Sequence, residues 1–255
     1  MAQKERLSLI RQAVRRDKKI SVSELSKEYG VTEETIRRDL EKLEQEGLIN
    51  RTYGGAVLNI EKVSAHVDFL RRSQTNREAK MTIGQLAAAE IPPHTAIGAD
   101  ASSTVMEAVS MMKDRPDITV LTNSVKIVRE LDQSALNLIS TGGQVNKNTF
   151  SMQGNIVRQV LGNYYVDVVL ISCTALDVDG GVFDSNEEEA ELKRLLVKRG
   201  QRTILLADHT KFNKVAFVRV LDFSQIDMVI TDRKPTQEWI DMFQEKEVRL
   251  IYPEE

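Results

Sequence analysis

The stretch ISVSELSKEYGVTEETIRRDL (20–40), followed by EGLINRTYGGA (46–56), decides how this chain is read. Ser21 and Glu24 have the S-x-x-E spacing of a capping box, which predicts a helix starting at Val22. Leu25 and Tyr29 lie at i and i+4 and share one face of it. Gly30 supplies the positive φ that ends a helix, and Val31 packs in the turn. Thr32 suits the N-cap of a second helix, with Glu33 and Glu34 at the positive end of its dipole. Ile36, Leu40 and Leu43 then repeat at +4 and +3, an apolar stripe to bury. Gly47 stands where this helix should end, and residues 48–58 read as a β-hairpin with Gly54 and Gly55 at the tip. Leu7, Ile10 and Val14 supply a third amphipathic helix. Two capped helices around a glycine turn, followed by a hairpin, are the plan of a winged helix-turn-helix, which lays its second helix in the major groove of DNA.

The face of the second helix opposite the stripe carries Thr35, Arg38 and Lys42, flanked by Arg37. Arginine bonds guanine O6 and N7 in a bidentate way, while lysines and hydroxyls hold phosphates. Ser21 and Thr32 at the helix starts, with Arg51 and Tyr53 on the hairpin, complete the candidate DNA-contacting set. A charge run by itself usually marks a solvated helix face. Its combination with two caps, a glycine turn and a Gly-Gly wing points to DNA.

Composition sets the frame. The chain has 255 residues, 41% of them hydrophobic and 29% charged, with a net charge of −3, as in an ordinary globular protein. Residues 1–59 hold 12 Lys/Arg and 10 Asp/Glu, whereas the rest holds 23 against 28. Affinity for DNA would therefore come from a local patch, doubled by oligomerisation, and not from bulk charge. No apolar run approaches 18 residues and the N-terminus is polar, so no membrane span or signal peptide is expected and the location is cytoplasmic. The single cysteine, Cys173, excludes an intramolecular disulfide and follows an apolar run that reads as a buried strand.

The boundaries expected are a DNA-binding domain over 1–59, a linker over 60–75 and a larger domain over 76–255. Helices are predicted over 79–90, 104–113, 125–131, 187–198 and 236–245. Strands are predicted over 95–99, 118–121, 136–140, 166–171, 202–207, 228–230 and 248–251, with a hairpin-like stretch near 215–220. The helix at 187–198 has a candidate capping box, Ser185 and Glu188, and Gly200 to stop it. Alternating strands and helices make the fold class α/β, with a mainly parallel sheet.

In such sheets ligands sit at the carboxyl ends of the strands. Three strand ends carry small polar groups, Asp100, Ser102, Ser103 and Thr104 at a helix start, Thr122 and Asn123, and Asp208 with Lys211, and at a fourth Gly142 and Gly143 let a ligand approach the backbone closely. Hydroxyls and backbone N–H groups at a helix start hold phosphate, and Lys211 adds a cation. Asp100 would repel phosphate and suits a sugar hydroxyl instead, or it merely caps the helix with Ser102.

Other chemistry is weak. His66, His94 and His209 have no metal-ligand spacing, and G-x-S-x-G, Walker A and G-x-G-x-x-G motifs are absent. Glu187, Glu188 and Glu189 read as the acidic first turn of a helix. Met111, Met112 and Trp239 read as packing. No metal, cofactor or catalytic residue is assigned.

TIRRDL (35–40) followed by LEQEGLINRTYGGA (43–56) resembles the signature of the DeoR-type family of bacterial sugar-operon regulators. The resemblance continues through Asp-x-x-Ser-Thr (100–104), Thr122-Asn123, Gly142-Gly143 and Asp-x-Thr-Lys-Phe (208–212). It implies a sensor domain related in fold to ribose-5-phosphate isomerase, glucosamine-phosphate deaminase and CoA transferases. It further implies a homo-oligomeric repressor, dimer or tetramer, with operator DNA and a phosphorylated sugar as partners. Ser102 departs from the glycine of many members, as does Ser172-Cys173-Thr174 from a commoner glycine-containing segment. Asp-Ala-Ser-Ser-Thr (100–104), with a later Asp184-Ser185-Asn186, is most similar to the fucose-operon branch, which implies a 6-deoxy-ketohexose 1-phosphate such as rhamnulose or fuculose 1-phosphate. The alternative is a sugar-phosphate isomerase or deaminase with a DNA-binding appendage. For that, Asp100, Asp208 and His209 are available as bases, but no pair is specified by spacing. The sequence does not separate repressor from activator.

Overall fold

A computed structural model describes residues 3–45, 48–58 and 69–254. The first unit is built around the apolar stripes expected. Helix α1 (Gln3–Asp17) buries Ile10 and Val14, and a short strand β1 (Lys19–Ser21) follows. Helix α2 (Val22–Tyr29) buries Leu25 and ends on Gly30 at φ 63°. Helix α3 (Glu33–Gln45) buries Ile36, Leu40 and Leu43, and Thr32 Oγ1 accepts from the Thr35 N–H. Strands β2 (Ile49–Thr52) and β3 (Gly55–Leu58) pair antiparallel, with β1 on the far side of β3. The unit is a winged helix-turn-helix. Gly47, expected to end α3, lies outside the described residues.

Two local expectations need correction. Ser21 precedes α2 but does not cap it: its backbone is committed to β1, opposite Gly55, and its hydroxyl meets that of Ser23 at 3.0 Å. Gly55 is not at the hairpin tip, where Tyr53 and Gly54 sit, but inside β3. A Cβ there would stand 1.9 Å from the Ile20 carbonyl oxygen, so glycine lets the strands close up.

The second unit begins within the stretch expected as linker. Helix α4 (Phe69–Gln74) buries Phe69, and α5 (Arg77–Ala89) follows. Strand β4 (Ala96–Ala99), helix α6 (Ser103–Ser110), strand β5 (Thr119–Thr122), helix α7 (Val125–Glu130) and strand β6 (Asn137–Ser140) form the first alternating run. Then come β7 (Gln144–Asn146), β8 (Ser151–Gln153), α8 (Asn155–Gly162), β9 (Val166–Ser172), β10 (Ala175–Asp177) and β11 (Gly181–Asp184). The chain closes with α9 (Glu187–Val197), β12 (Gly200–Leu206), β13 (Val218–Leu221), β14 (Met228–Ile230), α10 (Gln237–Glu245) and β15 (Arg249–Ile251). Helix α9 is capped by Asn186, whose Oδ1 accepts from the Glu189 N–H at 3.1 Å, and not by Ser185. Gly200 opens β12 instead of stopping α9: a Cβ there would lie 2.3 Å from Val169.

Seven parallel strands form the main sheet in the order β15-β14-β12-β9-β4-β5-β6. The near-continuous apolar strands feed two cores, one per face. Val168 and Leu170 of β9 and Ile204 and Leu206 of β12 join the core under α5 and α6. Val169, Ile171 and Leu205 join the other, with Leu196 and Trp239. The chain grows from β4 outward to β6, then returns to β9 and grows the opposite way. The topological switch point is therefore between β4 and β9, where α/β sheets open a crevice for ligands. A small antiparallel sheet, β10-β11-β13, sits beside it.

Candidate functional site

On the DNA-binding unit, α3 presents the expected face. Arg37, Arg38 and Lys42 are exposed, Thr32 is exposed and Thr35 half-buried. Arg37 Nη2 donates to Glu33 Oε2 at 2.7 Å, and Arg38 Nε lies 3.5 Å from Glu34 Oε1. Arg51 is exposed on β2 and paired with Glu41 at 2.9 Å, and Tyr53 projects fully into solvent at the wing tip. Ser21 is half-buried at the foot of α2. One residue of the TIRRDL motif does something the sequence did not suggest. Asp39 is buried, accepting from Arg6 Nε at 2.6 Å and Gln3 Nε2 at 3.0 Å, which ties α3 to α1.

At the switch point the sensor unit opens a cavity of about 240 Å³. Ser102, Ser103 and Thr104 bring the start of α6 into it, and Ser172 and Cys173 the end of β9. Asp208, Thr210 and Lys211 come from the end of β12, and Arg71, Arg72 and Lys80 from α4 and α5. Ser102 caps α6 by accepting from the Val105 N–H at 3.3 Å. Four cations thus face one carboxylate in this cavity. Burial works against the charge on Asp208, but Lys211 and hydrogen bonds from Thr210 hold its carboxyl below the ordinary range. Burial pulls Lys80 down to about 8, although Asp208 favours its charge. Lys80 Nζ donates to the carbonyls of Arg72 and Thr75, tying α5 to the end of α4. Cys173 is buried with its thiol pushed up to about 12, so it is a neutral wall group.

Not every expected residue lines this cavity. Asp100 is buried beneath it: Oδ1 accepts from the Ser102 N–H at 2.8 Å and Oδ2 from the Ser172 N–H at 3.1 Å, stitching β4 to β9 at the switch point. Thr122 is buried and donates to the Ala99 carbonyl at 2.8 Å. Asn123 lines a smaller chamber next door, described below. Gly142 and Gly143, at φ 62° and 110°, line neither space. A Cβ on Gly143 would meet the Gln153 carbonyl at 2.7 Å, so that glycine serves chain packing.

Sequence reasoning missed Arg71, Arg72, Lys80, Lys193 and Glu189. Lys193 is buried between Asp184 and Asp100, 3.2 Å from the latter. Burial opposes its charge, but the two aspartates hold it protonated, above the ordinary lysine range. Among the described residues no cluster of His, Cys, Asp and Glu has the arrangement of a metal site.

A helix-turn-helix joined to an α/β unit with a cationic crevice defines a DNA-binding regulator with a small-molecule sensor. The chain belongs to the DeoR family: residues 6–62 match the DeoR-like helix-turn-helix domain and residues 75–233 the DeoR C terminal sensor domain. It is 36% identical to the L-fucose operon activator of Haemophilus influenzae, over 88% of this chain and 90% of that one. It is 32% identical to the HTH-type transcriptional repressor GlcR of Bacillus subtilis, over 100% and 98%. Among solved structures, ribose 5-phosphate isomerase from Methanocaldococcus jannaschii covers 54% of this chain and 55% of its own, with a TM-score of 0.41 and 12% identity. Family membership makes the chain a transcriptional regulator and sets aside the isomerase or deaminase reading. No helix among the described residues is long and apolar enough to cross a membrane.

Proposed function

We propose that this regulator is a cytoplasmic repressor of a sugar-catabolism operon, released from its operator by a phosphorylated sugar. The observation that carries this is the cavity at the β4/β9 switch point, where Arg71, Arg72, Lys80 and Lys211 face a capped helix start against the single carboxylate of Asp208. That surplus of donors and positive charge suits a phosphate. Residues 1–59 act as the DNA-binding domain and 76–255 as the effector-binding and oligomerisation domain of a dimer or tetramer; of the stretch 60–75 expected as linker, α4 goes with the effector-binding domain, since Arg71 and Arg72 line its cavity. Thr35, Arg37, Arg38 and Lys42 lie in the groove, with Ser21, Thr32, Arg51 and Tyr53 along the phosphates.

Ser102, Ser103, Thr104 and Lys211 hold the phosphate. Asp208 orients Lys211, while Asp100, Thr122 and Asn123 shape the strand ends around the sugar; Gly142 and Gly143, which line neither space, form the turn after β6. The name of one relative, the L-fucose operon activator, supports a 6-deoxy-ketohexose 1-phosphate such as fuculose or rhamnulose 1-phosphate. The effector shifts the population only because it binds the released state more tightly than the DNA-bound state. Arg38→Ala weakens operator binding by roughly 1–3 kcal/mol if Arg38 reads a base, and an unchanged gel-shift titration removes it from the interface. Lys211→Ala raises the effector midpoint for DNA release by about tenfold. The same midpoint would refute its phosphate role. A reporter fused to the operon, read with and without the regulator, distinguishes repression from activation.

A further inference from the structure

Beside the 240 Å³ cavity, and sharing Arg72 and Ser102 with it as a common wall, lies a chamber of about 10 Å³. It has room for one water-sized group. Among the described residues, five buried side-chain atoms make no hydrogen bond, and four of them belong to residues lining this chamber. They are Arg72 Nε and Nη2, Asn123 Oδ1 and Glu189 Oε1. Asn123 is 4% exposed and Glu189 8%. Folded proteins pair almost all such atoms, because an unsatisfied buried polar group costs stability. Two donors and two acceptors left over around one small space are the imprint of a partner that both donates and accepts.

The charges narrow that partner. An anion in the chamber would satisfy Arg72 but face the carboxylates of Glu189 and Asp100. A cation would face Arg72 and Lys193. A hydroxyl is neutral, accepts from both Arg72 nitrogens and donates to one of the two acceptors, so it meets each half of the lining without repulsion. Glu189 is well suited to it: burial, aided by Asp184, pushes its carboxyl up to about 7, so it offers either a proton or a lone pair near neutral pH. Arg72 is contributed by α4, the first described helix after the DNA-binding unit.

We propose that the Arg72–Asn123–Glu189 chamber is the sugar-recognising end of the effector site, taking one hydroxyl of the effector while the adjoining cationic cavity takes its phosphate. This rests on the phosphosugar reading above. It makes Asn123 and Glu189 specificity-determining residues and makes Arg72, between the two spaces, sense both ends of the ligand.

The test is isothermal titration calorimetry on the full chain and on two variants, Glu189→Gln and Asn123→Ser. The ligands are inorganic phosphate, fuculose 1-phosphate, rhamnulose 1-phosphate, fructose 1-phosphate and fructose 6-phosphate. A cooperative melt for each variant confirms folding, and either variant alone suffices. In the wild type, one sugar phosphate binds at least about tenfold more tightly than inorganic phosphate. In the variants that advantage falls by about tenfold while phosphate binding stays within about twofold. Equal weakening of both ligands, or no change in either, overturns the inference and leaves the chamber a home for a structural water only. A wild type that binds neither phosphate nor any of the sugar phosphates overturns the phosphosugar reading itself.

Discussion

Each unit of this regulator buries an ion pair, and the two pairs are used differently. In the DNA-binding unit, Arg6 and Asp39 are 6% and 0% exposed, and Gln3 takes the second carboxylate oxygen. Among the described residues, none of the buried side-chain atoms left without a partner belongs to this pair. In the sensor, Lys193 answers Asp184 and Asp100, but Glu189, one helical turn before it, keeps an oxygen unanswered beside Arg72 and Asn123. A closed network fixes helices against one another; the open one is where we propose that a hydroxyl of the effector binds. Burial of charge alone therefore does not mark a site, whereas burial with donors and acceptors left over does.

The largest effect expected is on the closed pair. Asp39→Ala strands Arg6 in the interior and destabilises the DNA-binding unit by about 3–5 kcal/mol. Hydrogen exchange of α1 and α3 amides, followed by mass spectrometry, should show the loss. Unchanged protection would mean the pair is ornamental. Lys193→Met leaves two aspartates uncompensated and should cost the sensor a similar amount, read from urea unfolding through Trp239 fluorescence.

The open network makes a pH prediction. With its folded pKa at about 7, above the ordinary value of 4.5, Glu189 holds its proton more tightly in the folded state. Its contribution is present at low pH and is lost as pH rises from 4.5 through about 7. Glu189→Gln should therefore match the wild type near pH 5 and exceed it by about 1–3 kcal/mol near pH 8. A pH-independent difference would show that Glu189 is ionised throughout.

A backbone contrast is of similar or smaller size. Gly55→Ala should destabilise the wing by about 1–3 kcal/mol, because its Cβ meets the Ile20 carbonyl, while Gly54→Ala meets nothing. Equal melting temperatures for the two would contradict the strand assignment. Smallest of all, Arg37→Ala removes an exposed i,i+4 pair with Glu33 and should cost only about 0.3–0.5 kcal/mol of stability.

The two units also differ in how far their sequences can be read. The helix-turn-helix was legible because its determinants are local: a cap at Thr32, a positive-φ residue at Gly30, a stripe at Ile36, Leu40 and Leu43. The parallel strands showed as apolar runs because both their faces are buried. The three-residue strands β7 (QVN), β8 (SMQ) and β10 (ALD) did not show, because they lack an apolar run, whereas the equally short β14 (MVI) is wholly apolar. The site was half legible. Ser102, Ser103, Thr104, Asp208 and Lys211 follow strands and carry turn chemistry, and they do line the cavity. Lys80 and Glu189 were hidden inside helices. A signal existed for both. Lys80 stands with Ile83, Gly84 and Ala87 on the buried stripe of α5, and Glu189 and Lys193 with Ala190, Leu192 and Leu196 on that of α9. A charged residue on an apolar stripe is the pattern to look for, since it must be paired or waiting.

The most direct test of the account is fluorescence anisotropy of operator DNA bound to the purified regulator, titrated with sugar 1- and 6-phosphates and with their unphosphorylated parents. One phosphorylated sugar should release the DNA while its parent sugar does not. Release by the parent sugar as readily as by its phosphate, or tight binding indifferent to every compound, would contradict it.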